Sequence, residues 1–161
     1  FAVQLGSFLG PVVGGALVIP AGLLLGEKTP REMLDRRITE QIAMRAVMEV
    51  EIALGNTPRD VSSQNVGYDI ESRDGRSGRL RFIEVKGRRA GADTVTLTYN
   101  ELHRALNSPE QFILALVEVD RATAYPPRYL RNYPFHEPDP LAASVNFDLR
   151  EMLELSEEPH A

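Results

Sequence analysis

Gly67-Tyr68-Asp69-Ile70, followed after a polar turn by Phe82-Ile83-Glu84-Val85-Lys86-Gly87, is the stretch on which the reading of fold and chemistry turns. An acid closes one apolar run, and an acid and a lysine stand two apart in the next. Side chains alternate faces along a strand, so Glu84 and Lys86 share a face while Ile83 and Val85 point the other way into a core. The intervening Ser72-Arg73-Asp74-Gly75-Arg76-Ser77-Gly78 contains Asp-Gly and Ser-Gly, so the two runs are predicted to form a β-hairpin. Pairing them brings Asp69 beside Glu84. Two carboxylates and an ammonium on one sheet face suit a hard divalent cation and a phosphate.

Working outward, Thr29-Pro30 opens a helix, with Thr29 as N-cap and Pro30 at the first helical position. Ala43, Val47, Val50 and Leu54 form its apolar stripe, and Gly55-Asn56 with Pro58 ends it. Asp60-Val61-Ser62 offers an extra short strand before the hairpin. After the hairpin, Thr94-Val95-Thr96-Leu97 alternates as a strand. Thr98-Tyr99-Asn100-Glu101 has capping-box spacing, so a helix starts near Thr98, buries Leu102, Ala105 and Leu106, and is bounded by Pro109. Asn100 and Glu101 are placed to face the site, but capping accounts for Thr98 and Glu101 without any chemistry. Phe112-Ile113-Leu114-Ala115-Leu116-Val117 reads as a fully buried strand. Ala124 to Phe135, rich in Pro and Tyr, reads as irregular, Val145-Asn146-Phe147 as a short strand and Leu149 to Leu155 as a final helix. The tail over 156–161 is expected to be disordered.

The chain of 161 residues suffices for one domain with a real core, and its apolar and charged fractions are ordinary for a soluble protein. It has no cysteine, which excludes disulfides and thiolate zinc sites, and its three histidines (His103, His136, His160) are scattered. A cytoplasmic location is expected. The net charge of −5 argues against a generally sticky nucleic-acid binder, but binding follows the local field. Arg73, Arg76, Arg79, Arg81, Lys86, Arg88 and Arg89 crowd one strip against only Asp74 and Glu84. Such a strip can hold a phosphate backbone, with Arg88, Arg89 and Arg81 as its candidate contacts; a solvated hairpin with charged edges is the plainer reading. Leu5 to Leu25 is long and apolar enough for a membrane span, but Pro11, Gly14, Gly15, Pro20 and Gly22 break it and no basic flank precedes it. Residues 1–28 are therefore expected to be an apolar β segment packed on the core, with no membrane partner. The chain starts at Phe1 rather than Met, so a fragment or processed product is expected.

Asp69 and Glu84-Val85-Lys86 resemble the acid and (D/E)XK signature of the PD-(D/E)XK, restriction-endonuclease-like superfamily, with Tyr68 where that motif often has proline. The longer words Asn65-Val66-Gly67-Tyr68-Asp69-Ile70-Glu71-Ser72, Ile83-Glu84-Val85-Lys86-Gly87 and Leu97-Thr98-Tyr99-Asn100-Glu101 resemble the domain of unknown function shared with the C-terminus of plant NO VEIN proteins. That domain also ends bacterial Swi/Snf-type helicase-related proteins, a resemblance running from about Val13 to about Leu153. It implies an α-β-β-β-α-β core with a mixed sheet flanked by helices over 29–155. It also implies Mg2+ or Mn2+ held by Asp69, Glu84 and the Val85 carbonyl, with Lys86 orienting water or stabilising charge. Lys86 acts as a base only if its pKa is substantially lowered. A helix glutamate is a frequent further ligand in the superfamily; Glu51, at the edge of the apolar stripe, is preferred to Glu49, and Glu71 competes with Asp69 for its role.

Two functions are expected from this reading. The first is a metal-dependent nuclease module acting on nucleic acid, DNA in particular, beside upstream helicase domains of the same polypeptide. The second is a nuclease-like module that binds without cutting. A structural domain packed on a helicase motor is the third reading. The sequence has no G-x-x-x-x-G-K-[ST] loop, so any ATPase activity belongs to other domains.

Overall fold

The hairpin is the spine of the fold. In the computed structural model, which describes residues 30–160, β2 (Ile70–Arg73) pairs antiparallel with β3 (Leu80–Arg89), Ile70 lying opposite Ile83. Asp74 holds the turn, its Oδ1 accepting from the Arg76 and Ser77 amides and the Ser77 hydroxyl. Before it, α1 (Pro30–Ala53) ends in a turn at Gly55, whose φ of 81° suits glycine, and β1 (Thr57–Asp60) adds to the free edge of β2. Pro58 is thus not merely a helix stop: it sits in β1, an edge strand, where its missing N–H costs no internal ladder bond. Asp60 ends that strand and Ser62–Gln64 turns into a 3-10 helix.

After β3 the chain makes β4 (Thr94–Thr98) and α2 (Tyr99–Asn107), then returns as β5 (Phe112–Asp120), parallel to β3. A parallel neighbour needs such a crossover. β4 does not join the main sheet. It pairs with β8 (Ser144–Asp148) in a separate ribbon, which leads into α3 (Leu149–Leu155). The region expected to be irregular contains β6 (Thr123–Ala124) and β7 (Arg128–Arg131), which both pair with β5. Its prolines and short runs concealed strands that β5 templates from one side.

The main sheet is therefore mixed, in the order β1-β2-β3-β5-β6 with β7 also on β5, and it separates two apolar layers. Ile83, Val85, Ile113, Ala115, Val117 and Val119 pack with Ala43 and Val47 of α1. Phe112, Leu114 and Leu116 pack with Leu102 and Ala105 of α2, Leu149 and Met152 of α3, and Val95 and Leu97 of β4. The alternation of β5 fills both layers, which is why its sequence reads as a continuous apolar run.

Two expectations on the termini fare differently. Residues 1–28 and Thr29 lie outside the described residues. Beyond α3, where disorder was expected, the chain is tied down: Glu157 exchanges backbone hydrogen bonds with Tyr129, Arg128 donates to the Ser156 carbonyl, and Arg81 donates to the His160 carbonyl. The partners of this polar tail are long-range, so composition alone did not disclose them. No helix among the described residues is long and apolar enough to cross a membrane.

Candidate functional site

β2 stops pairing with β3 at Ile83, while β3 continues to Arg89, and the charged motif lies where the sheet opens. Asp69 sits at the mouth of this opening. Its amide donates to the Ile83 carbonyl, and its Oδ2 accepts from the Val85 amide at 3.0 Å. The loop carrying it is pinned to α2 by Gly67: φ there is 84°, and a Cβ would come within 2.7 Å of the Asn100 carbonyl oxygen. Only glycine meets both demands.

Glu84 and Lys86 follow on the shared strand face. The Lys86 ammonium lies 2.8 Å from Glu84 Oε1 and 2.6 Å from Oε2 of Glu101. Glu101 has two duties. The same oxygen accepts from the Thr98 amide at 2.9 Å, completing the capping box of α2. Capping and the contact with Lys86 are therefore not alternatives. No spacing rule announces this pair, because β4 and the start of α2 intervene.

The electrostatics follow from burial. Glu84, 3 % exposed, has a pKa raised well above the ordinary carboxylate value, chiefly by desolvation, with Lys86 opposing and Asp69 and Glu101 reinforcing. Burial also raises Asp69, against the Val85 N–H and Lys86. Burial pulls on Glu101 in the same direction, but Lys86 and the Thr98 hydrogen bonds outweigh it and the net shift is down. Lys86 moves up: desolvation would lower it, yet Glu84 and Glu101 outweigh that. It is held as an ammonium, which argues against a role as general base. Three carboxylates share one cation, so the cluster lacks positive charge.

These groups line one cleft of about 820 Å³. α1 supplies its other wall with Arg36, Arg37, Glu40, Met44 and Arg45, and Asp60 and Arg88 complete the charged rim. The α1 arginines lie outside the basic strip around the hairpin, and only the packing of α1 on β3 brings them to the cleft. Gly87 lets α1 approach: a Cβ there would stand 2.8 Å from Ala43 Cβ and 2.9 Å from the Thr39 carbonyl oxygen.

The other expected site residues lie elsewhere or are engaged. Glu51 is fully buried on the α1 side of the sheet, away from the Glu84 and Lys86 face. It accepts from Asn56 Nδ2 at 2.8 Å, Ser72 Oγ at 2.6 Å and the Tyr129 hydroxyl at 2.9 Å, with Arg81 at 3.7 Å. It occupies the apolar stripe one turn after Val47, so the stripe carries an acid with partners from three other segments. Glu49 is exposed. Arg81, offered as a phosphate contact, is buried and bonds Asp74 at 2.5 Å. Arg89 is exposed and pairs with Asp35 at 2.9 Å. Glu71 pairs with Arg59 at 2.8 Å, so Asp69 alone of the two enters the cleft.

Hard oxygen donors short of counter-charge fit a divalent cation, and Mg2+ is commonly bound through one or two carboxylates with waters and substrate phosphates. Among the described residues no group of three or more His, Cys, Asp or Glu is placed to hold a metal unaided.

A charged cleft at the open end of a mixed sheet, with a carboxylate–ammonium cluster on its floor, makes this an α/β domain with a preformed polar site. The chain belongs to the family of the C-terminal domain of protein NO VEIN, whose model matches residues 39–130, from within α1 to β7. No curated protein and no solved structure matches it.

Proposed function

We propose that this domain is a divalent-metal-dependent nuclease module of PD-(D/E)XK type that hydrolyses phosphodiester bonds in nucleic acid, DNA in particular, and that it works in the cytoplasm beside helicase domains of a larger polypeptide. The observation that carries the reading is the meeting of Asp69, Glu84 and Lys86 at one open cleft. The order of helix, hairpin, short strand, helix and buried parallel strand supports it.

Asp69 and Glu84 would hold Mg2+ or Mn2+, with the Val85 carbonyl as a further oxygen donor. The cation would supply an activated water and neutralise phosphate charge. Asp69 is oriented for this by the Val85 N–H, which leaves its other oxygen for the cleft. Lys86, kept protonated by Glu84 and Glu101, places a fixed positive charge where a pentacovalent phosphorane develops negative charge. Glu101 positions that ammonium. The arginines on the rim would grip flanking phosphates.

The test is cleavage of labelled single-stranded, double-stranded and flapped DNA and RNA in manganese, with Glu84→Ala and Lys86→Ala each expected to slow it at least ~100-fold. A second reading, a nuclease-like module that binds nucleic acid without cutting, draws support from Lys86 already engaging two carboxylates. Salt-sensitive binding without metal-dependent cutting would favour it. If neither appears and the domain binds a helicase motor, its role is structural.

A further inference from the structure

We propose that Arg36 and Arg88 form a two-guanidinium subsite for a backbone phosphate, next along β3 from the phosphate presented to Asp69 and Glu84. Arg88 follows Lys86 by two residues on the same strand face, about 7 Å away at the rise of a β-strand. That is the order of the separation between successive phosphates in a nucleic-acid strand. The proposal rests on the nucleic-acid reading of the cleft, but not on cleavage.

Packing makes the subsite. Gly87 brings α1 against β3 at Thr39 and Ala43, and Arg36 lies just before Thr39 on that helix. Arg36 and Arg88 line both the main cleft and a smaller recess of about 250 Å³ that adjoins it. Arg88 is half-buried, and its Nε is shut away from solvent without a hydrogen-bond partner. Burial lowers its pKa, and the nearby charge of Arg36 lowers it further, with only Glu40 opposing. A half-buried guanidinium beside a second, exposed one favours an anion at their terminal nitrogens.

The carboxylates nearby are largely engaged. Glu40 bonds Arg36 through Nε at 2.8 Å, which leaves the terminal nitrogens of Arg36 for a ligand, and Asp35 bonds Arg89. Glu32 also lines the recess. Arg37, Arg45 and Lys86 extend the positive rim along the same cleft, which favours a polyanionic strand over a lone carboxylate.

The experiment is fluorescence anisotropy of labelled single- and double-stranded oligonucleotides with the full chain in EDTA, over a series of salt concentrations. Arg36→Ala and Arg88→Ala are each expected to weaken binding about tenfold and to reduce the salt slope by about one. Because they share one phosphate, the double variant should also lose about one unit of slope, not two. Arg150→Ala, on the far helix α3, should bind as wild type. Arg88→Lys keeps the charge without the fork and should recover part of the loss; thermal melts check each variant's fold.

Inorganic phosphate supplies a second arm. The Arg88 Nε–H resonance should move on phosphate addition in wild type and stay still in Arg36→Ala. A response to inorganic phosphate without oligonucleotide binding would assign the site to a free anion and overturn the backbone assignment. Wild-type affinity and slope in both alanine variants would overturn the subsite altogether, as would a wild type that binds neither probe. Cleavage is read separately: a subsite confirmed in EDTA survives a failed nuclease assay, and a working nuclease unaffected by both variants refutes the subsite alone.

Discussion

Glu51→Ala separates a scaffold role from a catalytic one. The substitution would leave Asn56 Nδ2, Ser72 Oγ and the Tyr129 hydroxyl without their buried acceptor, and would take from Arg81 one of its two acidic neighbours. Orphaning a buried hydrogen-bonding group costs about 1–3 kcal/mol, and breaking a buried ion pair from one side about 3–5 kcal/mol. These terms are not additive. Arg81 also keeps Asp74, so the ion-pair cost sits near its lower end, about 3 kcal/mol, and with about 1 kcal/mol for the orphaned donors a loss of about 4 kcal/mol is expected. For a domain of this size 1 kcal/mol corresponds to about 2–4 °C, so the midpoint should fall by about 8–16 °C in calorimetry or circular dichroism. Glu51→Gln keeps the volume and one acceptor and should lose about half as much. Oligonucleotide binding and any cleavage, measured well below the variant's midpoint, should match wild type. A Glu51→Ala protein that melts within about 2 °C of wild type would refute the reasoning. So would a folded variant that has lost activity.

Three further outcomes are expected. Gly87→Ala forces a methyl against Ala43 and the Thr39 carbonyl, so α1 must shift; a loss of about 1–3 kcal/mol, seen as a lower urea midpoint, should come with weaker oligonucleotide binding. Glu101→Gln preserves the capping-box geometry but removes one of the two carboxylates that hold Lys86; α2 amides should stay protected from exchange while the Lys86 ammonium, followed by side-chain NMR, titrates at lower pH than in wild type. Burial raises the folded pKa of Glu84 and Asp69, so the stability they lend is complete below the ordinary carboxylate range, about pH 4, and is lost as pH rises through their elevated values. Without metal, Glu84→Gln should therefore melt higher than wild type, by a margin that grows as pH rises above the ordinary carboxylate range; a constant margin would show that Glu84 titrates normally.

Much of this molecule is legible without coordinates. Period-2 alternation around Ile83-Glu84-Val85-Lys86, the Asp-Gly turn and the capping-box spacing at Thr98 are local signals, and they determined the hairpin, the start of α2, the buried β5 and the placing of Asp69 and Glu84 at one cleft. The long apolar run of β5 also implied a sheet covered on both faces. Tertiary structure alone decided the rest. It drew Glu51 into a network with Ser72, Arg81 and Tyr129, whereas helical spacing could say only that it bordered the core. It turned Glu101 from a cap into a partner of Lys86, moved β4 out of the main sheet to β8, and set Arg36 of α1 beside Arg88. The physical reason is common to these cases. Backbone propensity and side-chain periodicity act over a few residues and are written in adjacent letters. The partner of a buried charge is chosen by which distant segments the apolar layers press together, and that choice is made only when the chain has closed around them.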